Sequence, residues 1–387
     1  MSKVMIILVS DQRMQNVIPV FQENMGDDDL LIPVVSKLKD GGLNPRYERA
    51  YKCTVEAITG RVLAEDPKSE CGVDPFVFAD TETLCRTLIQ EHTSKGREVI
   101  VNITGGMKPM SIGAYRAALS EGARTIYVDT ENEQVISFYP DGKYVPTDFS
   151  EGIQEIDVQT YLVAHCKRID DEQTENKAFS ASEIEAARSL MAFEIKRVAD
   201  FMDRLASAVG HVASNFKRRR YFDASLDDVQ GDDELLRTLV DTGYVTRPAR
   251  NLIRIQKGEK WNYLDGRWLE VYVCLTLQDS GLFHDVRSGI QLQGVRNDLD
   301  VVCVHNAKLA ICECKAGDPG GQKTLNKLRA LKETVGGTFG RTFFVTTMEQ
   351  ASLGDRFRNR ARDYDITAIV DINELPDIAD IVLEKMR

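Results

Sequence analysis

The sequence has no apolar stretch long enough to cross a bilayer, and residues Met1 to Gln12 carry one short hydrophobic run followed at once by polar residues. Neither a membrane span nor a secretory leader is expected, and the chain reads as cytoplasmic. Excess positive charge is missing as well. A formal net charge of −11 and a pI near 5.2 argue against a protein that coats nucleic acid by bulk electrostatics, yet they permit a local basic groove beside an acidic metal site. The eight cysteines contain no C-x-x-C spacing, and they read as small buried hydrophobes in preference to disulfides. Cys312 and Cys314, the one close pair, alternate on a strand and cannot close a zinc site alone. Nucleotide fingerprints are absent too. The first apolar run leads into Ser10-Asp11-Gln12 where G-x-G-x-x-G would stand, and no G-x-x-x-x-G-K-[ST] occurs, which turns the reading away from dinucleotide cofactors and ATP hydrolysis. There is no internal repeat and no low-complexity tract.

What is present is ordinary globular material, 43% hydrophobic and 28% charged, in a chain of 387 residues that suggests two or three domains. Residues 1–150 alternate strand-like and helix-like runs, the signature of an α/β domain with a mainly parallel sheet. Val4 to Val9, Val99 to Ile103 and Thr125 to Asp129 read as buried strands. Leu30 to Lys39 reads as a helix closed by Gly41 and Gly42, Thr81 to Lys95 as a helix closed by Gly96, and Met110 to Glu121 as one ended by Gly122. Residues 151–260 turn helical, with one long helix from Ala181 to Ser207. A helix at Glu234 to Asp241, a turn at Gly243 and two short strands within Tyr244 to Ile255 then resemble a winged-helix wing. This middle region reads as a connector that also dimerises. Its basic run Lys217, Arg218, Arg219 and Arg220, followed by Tyr221 and Phe222, is either a phosphate-backbone contact or a solvated helix end. Residues 261–387 read as helix, strands, helix, strand, helix and strand.

The chemistry concentrates in that last segment. Two strand-like runs, Leu299 to Val304 and Leu309 to Lys315, flank the turn candidate Asn306-Ala307. A two-residue loop there pairs His305 with Lys308, and in that register Asp300 faces Glu313. Lys315, two positions beyond, projects to the same side. Two acids face to face repel, and a bound divalent cation offsets this; oxygen donors of this kind suit Mn²⁺ or Mg²⁺. Asp298 competes with Asp300 for the role. Upstream, Glu270 interrupts the nearly apolar WLEVYVCLTL, where a charge is costly unless paired or metal-bound; it either joins the site, lies on an exposed strip, or pairs with Arg267 or Arg287. Lys323, Lys327, Arg329 and Lys332, on a helix closed by Gly336 and Gly337, form either one wall of a nucleic-acid groove or a solvated face.

In this order, Glu270, Asp300 and then Glu313-Cys314-Lys315 resemble the PD-(D/E)xK nuclease superfamily. The resemblance implies that Glu270, Asp300, Glu313 and the backbone carbonyl of Cys314 ligate metal, while Lys315 orients water and stabilises charge in the transition state. The proline of the family name is missing before Asp300.

The first domain holds a second feature, NITGGMKPMS, in which a buried strand runs into Thr104-Gly105-Gly106-Met107-Lys108 and then a helix. A glycine turn lets backbone amides approach an anion and the helix N-terminus favours it, at the strand end where open α/β sheets bind ligands. A tight connection without a ligand is the plain alternative. Together with LVSDQRMQNVIP after the first strand, the motif resembles the CARF domain of type III CRISPR ancillary proteins. That resemblance, which covers residues 1–150, implies a Rossmann-like domain in a homodimer that binds a cyclic oligoadenylate, here cyclic tetra-adenylate, across its two-fold axis. Ser10, Asp11, Gln12 and Asn16 match the first loop; Asn102, Thr104, Gly105, Gly106, Met107 and Lys108 match the second, with Met107 a departure from the more usual polar residue. Lys108 has no evident general-base partner, which speaks against the domain degrading its own activator.

The expected architecture is therefore a CARF domain (1–150), a helical, winged-helix-like connector (151–260) and a PD-(D/E)xK domain (261–387). The expected function is an activated metal-dependent endonuclease acting on single-stranded or nicked DNA or RNA. A ligand-responsive nucleic-acid-binding regulator without cleavage and a constitutive restriction-type endonuclease are the alternatives.

Overall fold

In the computed structural model, which describes residues 2–213, 220–229, 232–317, 319–336 and 340–387, the first apolar run forms strand β1 (Lys3–Leu8). It pairs in parallel with β2 (Leu30–Ser36) and β5 (Glu98–Asn102). The short strands β3 (Leu63–Ala64) and β4 (Gly72–Val73) both pair with β2. Beyond β5 lie β6 (Arg124–Asp129), parallel, then β7 (Gln134–Phe138) and β8 (Tyr144–Asp148), antiparallel. Helices α1 (Met14–Gln22), α2 (Pro45–Ala57) and α5 (Val158–Ala164) cover one face; α3 (Phe78–Ser94) and α4 (Lys108–Glu121) cover the other. This is why β1 is apolar throughout: Met5 and Ile7 enter one core while Val4, Ile6 and Leu8 enter the other.

Leu30 to Lys39 is a strand and turn, not the expected helix. Pro33 sits in its interior, where a helix would lose a hydrogen bond and clash, and the β-branched Ile32, Val34 and Val35 are fully buried between the layers. Gly41, at φ 89, turns the chain between the bridged residues Lys37 and Leu43. The cysteine expectation also needs correction, since Cys53 on α2 and Cys166 after α5 are joined in a disulfide across 113 residues. Packing of α2 against α5 brings their Cα atoms within 5.3 Å, a proximity that linear spacing does not carry. The other six cysteines are free and buried, as expected.

In the middle region a short helix α6 (Asp171–Glu175) precedes α7 (Ala181–Leu190) and α8 (Ile195–Ala213). The single helix expected from Ala181 to Ser207 is thus two, because the chain turns at residues 191–194 and brings Met191 and Phe193 against the core; no proline or glycine marks the break. A reciprocal cap between Ser180 and Glu183 starts α7. Strand β9 (Tyr221–Ser225), helix α9 (Asp233–Asp241), a turn at Gly243 (φ 76) and strands β10 (Val245–Ala249) and β11 (Leu252–Gln256) form the wing-like unit, a three-stranded antiparallel sheet in the order β10-β11-β9. Lys217, Arg218 and Arg219 lie outside the described residues; Arg220 is exposed.

The C-terminal segment begins with α10 (Glu259–Asn262) and α11 (Trp268–Asp279). Its sheet has the order β12 (Asp285–Ile290), β13 (Leu299–His305), β14 (Lys308–Lys315), β15 (Arg341–Thr346), β16 (Ala368–Val370), antiparallel through β14 and parallel beyond. Helix α12 (Gly321–Leu331) follows β14, α13 (Asp355–Asp363) follows β15, and a closing α14 (Ile378–Met386) completes the chain. Gly337 lies outside the described residues. One sheet face shares a core with α7 to α9 and α11; the opposite face packs with α12 and joins the core of the first domain.

Candidate active site

Strands β13 and β14 are joined by Asn306 and Ala307, both left-handed at φ 46 and 59, the signature of a two-residue type I′ turn. His305 faces Lys308, and the ladder runs on to Val301 opposite Cys312. Asp300 and Glu313 come next in that register. Ala307 adopts a conformation that usually falls to glycine, and its methyl group, 1% exposed, is buried in the core shared with the first domain.

Asp300 and Glu313 are 5% and 1% exposed. The Cys314 amide donates to Asp300 Oδ2 at 2.9 Å. Lys315 Nζ lies 3.2 Å from Glu313 Oε1 and 3.9 Å from Asp300 Oδ2, and it donates to the Cys314 carbonyl at 3.0 Å. A second ammonium, Lys327 of α12, approaches Glu313 Oε2 at 2.6 Å and Asp300 Oδ1 at 3.2 Å. Burial alone would lower both lysines, but Glu313 and Asp300 more than offset it and raise them. Asp298 is more exposed than Asp300 and pairs with Lys177 at 2.8 Å. Burial would raise its pKa, but the Lys177 hydrogen bond and the charge of Lys327 hold it below the ordinary value.

Glu270 projects from the first turn of α11, where Trp268, Leu269 and Val271 are buried. Gly266, at φ 146, kinks the helical lead-in and packs toward Ala316, the residue after Lys315. Among the described residues no hydrogen bond or ion pair engages the Glu270 carboxyl group. Arg267 is taken by Glu183, and Arg287 by Asp157 and Asp285, so neither of the expected pairings forms. Burial, then the charge of Asp300, pushes Glu270 up to about 8; the same two causes push Glu313 up to about 7.

This donor set fits a hard divalent cation. Both oxygens of Glu313 are buried without a well-aligned hydrogen bond, the Cys314 carbonyl accepts from the same Lys315 ammonium that approaches Glu313, and Glu270 lies in the field of Asp300, which the charges of Arg267 and Lys315 offset only in part. Among the described residues no three acidic, histidine or cysteine side chains converge closely enough to form a cage; Lys315 and Lys327 hold the acids together. Lys327, expected either on a nucleic-acid groove wall or on a solvated helix face, instead turns inward onto Asp300 and Glu313. Of its companions, Arg329 pairs with Glu333 and Lys332 with Asp365.

The glycine loop of the first domain borders a pocket of about 250 Å³ lined by Val9, Ser10, Asp11, Gln12, Ser36, Tyr47, Thr104, Gly106 and Met107. A Cβ on Gly105 would come 2.0 Å from the Leu8 carbonyl oxygen, so glycine is what lets the loop press on β1. Asn16 and Asn102 lie beneath the loop: Asn102 Nδ2 donates to the Gln15 carbonyl and Asn16 Oδ1, while its Oδ1 accepts from the amide and hydroxyl of Thr104. Lys108, exposed, opens α4 at the rim. Ser10 Oγ, Arg13 Nε and Gln15 Oε1 are buried without partners. Arg46, paired with Asp11 at 2.6 Å, and Tyr47 arrive from α2, and no motif announced them.

The two regions touch through the β13–β14 turn. Lys308, 1% exposed, pairs with Glu133 at 3.0 Å and donates to the Glu131 carbonyl, and Asn306 donates to Glu133. Glu133 ends the turn after β6, and β6 is held to the glycine loop by the Val128 amide donating to Thr104 Oγ1 at 2.8 Å.

A doubly covered α/β ligand domain docked on a D…E-x-K carboxylate site defines a class, the sensor-linked nucleases. Residues 4–161 match the family described as the Card1 CARF domain, and residues 257–387 match the Card1-like endonuclease domain. The chain belongs to the CARF-domain nucleases, with a CARF domain at its N-terminus and an endonuclease domain at its C-terminus. Among solved structures it is similar to protein VC1899 from Vibrio cholerae, at 20% identity and a TM-score of 0.73 over 99% of this chain and 97% of that one. It is likewise similar to Can2 from Sulfobacillus thermosulfidooxidans in complex with cyclic tetra-adenylate, at 19% identity and a TM-score of 0.67 over 100% and 99%. A type III CRISPR defence DNA nuclease activated by cyclic oligoadenylate matches at 18% identity and a TM-score of 0.55, over 89% of this chain and 45% of that one. No curated protein matches. Among the described residues no helix is long and apolar enough to cross a membrane.

Proposed function

We propose that this protein is a cytoplasmic homodimer in which cyclic tetra-adenylate, bound at the CARF pocket, switches on Mn²⁺- or Mg²⁺-dependent cleavage of phosphodiesters in DNA or RNA as part of type III CRISPR defence. The observation that carries the reading is the convergence of Asp300, Glu313 and Lys315 on one hairpin whose turn is seated in the CARF domain.

Glu270, Asp300, Glu313 and the Cys314 carbonyl would hold the ion. Such an ion would supply polarisation of the phosphate and a lowered pKa for a water nucleophile. Lys315 is placed to orient a water at the acids and to donate to the charge that develops on the phosphoryl oxygens. Lys327 is a second ammonium on the same two carboxylates, 2.6 Å from Glu313 and 3.2 Å from Asp300, and neutralises part of their charge. In the CARF pocket, Ser10, Gln12, Thr104 and the loop amides of Gly105 to Lys108 contact phosphate and ribose, Asp11 and Met107 border the ring, and Asn16 and Asn102 hold the loop from below. Two observations support a dimer. A pocket of about 250 Å³ is smaller than the roughly 300–1,000 Å³ typical of small-molecule sites and holds only part of a tetranucleotide. Ile112, Tyr115 and Leu119 form an exposed apolar stripe on α4 beside it.

Incubating the protein with Mn²⁺ or Mg²⁺ and single-stranded RNA, single-stranded DNA or supercoiled DNA, with and without cyclic oligoadenylates, tests the reading. Cleavage is expected only with cyclic tetra-adenylate, and Lys315→Ala should reduce it by about 10²-fold or more. No cleavage under any combination, or full activity in Lys315→Ala, overturns it.

A further inference from the structure

Beside the carboxylate site is a cleft of about 490 Å³ between α12 and α13, within the usual size range of small-molecule sites. Leu325, Met348, Leu353 and Phe357 give it an apolar floor, and Arg356 and Arg360 stand at its rim. Its position follows from the sheet. Lys315 lies opposite Thr346 in the parallel ladder, Met348 is two residues further on, and the Gly317 amide donates to Thr347 Oγ1 at 2.9 Å. The cleft therefore opens at the same carboxyl-terminal edge as the site, separated from it by the first turn of α12.

The arginines point to an anion. Arg358, on the same helix, is tied to Asp355, whereas among the described residues neither Arg356 nor Arg360 has a carboxylate partner. Four residues apart on a helix, they face the same way and repel, and a phosphate between them removes that repulsion. Phe357 lies between them in sequence, half-buried, with its ring 5.1 Å from that of Phe344, so it is braced from behind.

We propose that this cleft is a substrate subsite that receives one unpaired nucleotide flanking the scissile phosphate, its base stacked on Phe357 and its phosphate held by Arg356 and Arg360. The proposal rests on the nuclease reading above and deepens it by naming the residues that would favour an unpaired strand over a duplex, because a base inside a duplex has both faces covered.

Binding of a dye-labelled single-stranded oligonucleotide, followed by fluorescence anisotropy in a Lys315→Ala background, tests the proposal without requiring cleavage. Replacing Arg356 and Arg360 together by Ala should weaken binding at least about tenfold and make the slope of log affinity against log salt shallower by roughly 1.4, two phosphate contacts' worth for a single strand. Phe357→Leu, which keeps an apolar brace against Phe344, should weaken single-strand binding by about tenfold while leaving the salt slope unchanged. Binding of a blunt duplex should change less than twofold in either variant. Unchanged single-strand binding in both variants, or equal losses for the duplex, overturns the subsite. Wild-type protein that never cleaves but shows the expected binding pattern overturns the nuclease reading and leaves the subsite standing.

Discussion

Lys327 and Lys315 reach the same two carboxylates from different elements, and their roles separate on removal of metal. Without an ion, Lys327 is the closer partner of Glu313, at 2.6 Å against 3.2 Å for Lys315. Lys327→Met should therefore lower the stability of the metal-free protein by about 1–3 kcal/mol, because it strips a buried carboxylate of its main partner. The same variant should bind Mn²⁺ more tightly than wild type by calorimetry, since the ion no longer displaces an ammonium; weaker binding would assign Lys327 to the metal-bound state instead. The raised carboxyl groups add a pH signature. A carboxyl group whose folded pKa lies above its ordinary value gives stability that is complete below that ordinary value and is lost as pH rises through the folded one, here about 7 for Glu313 and about 8 for Glu270. Metal-free protein should therefore lose Tm between about pH 5 and pH 8, less so in Glu270→Gln. Because the ion displaces those protons, the Tm gain on adding Mn²⁺ should be larger at about pH 8 than at about pH 6.

The glycine loop and the hairpin were legible in the sequence for different reasons, and the elements that escaped have a common cause. The hairpin was readable because a two-residue turn fixes register, and register fixes which side chains share a face. The loop was readable because paired glycines after an apolar run have few other uses. Strand β2 was misread because a short apolar run suits a buried strand or a buried helix equally, and Pro33 was the cue to decide between them. Lys327, Arg46 and Tyr47 were missed as site members because separate helices carry them in from a dozen or more residues away, which spacing does not encode. The loop's own requirement is testable. Gly105→Ala would drive a methyl into the Leu8 carbonyl and should cost about 1–3 kcal/mol of stability, with binding of cyclic tetra-adenylate lost by calorimetry. An alanine variant that binds normally would show that the loop need not press on β1.

At the scale of the molecule, the stripe of Ile112, Tyr115 and Leu119 predicts self-association. Ile112→Glu should convert a dimer to monomers in sedimentation velocity and weaken ligand binding, and a monomeric wild type would refute it. The docked turn predicts an asymmetry. Glu133→Ala strands the buried ammonium of Lys308 and should cost about 3–5 kcal/mol, whereas Lys308→Met leaves Glu133, 21% exposed, near enough to water that the loss should be much smaller. Chemical denaturation of both variants measures the difference, and equal losses would remove the buried charge as its cause. The same contact limits how such proteins can be assembled from parts. An endonuclease segment cut out near residue 257 would carry Lys308, Ala307 and the apolar face of β13 and β14 into water, and a foreign sensor grafted in front would meet them without an acidic turn shaped to receive them. A sensor exchanged onto this endonuclease domain would therefore have to bring a receiving turn that matches the hairpin, so the unit to transplant is the pair of surfaces and not either domain.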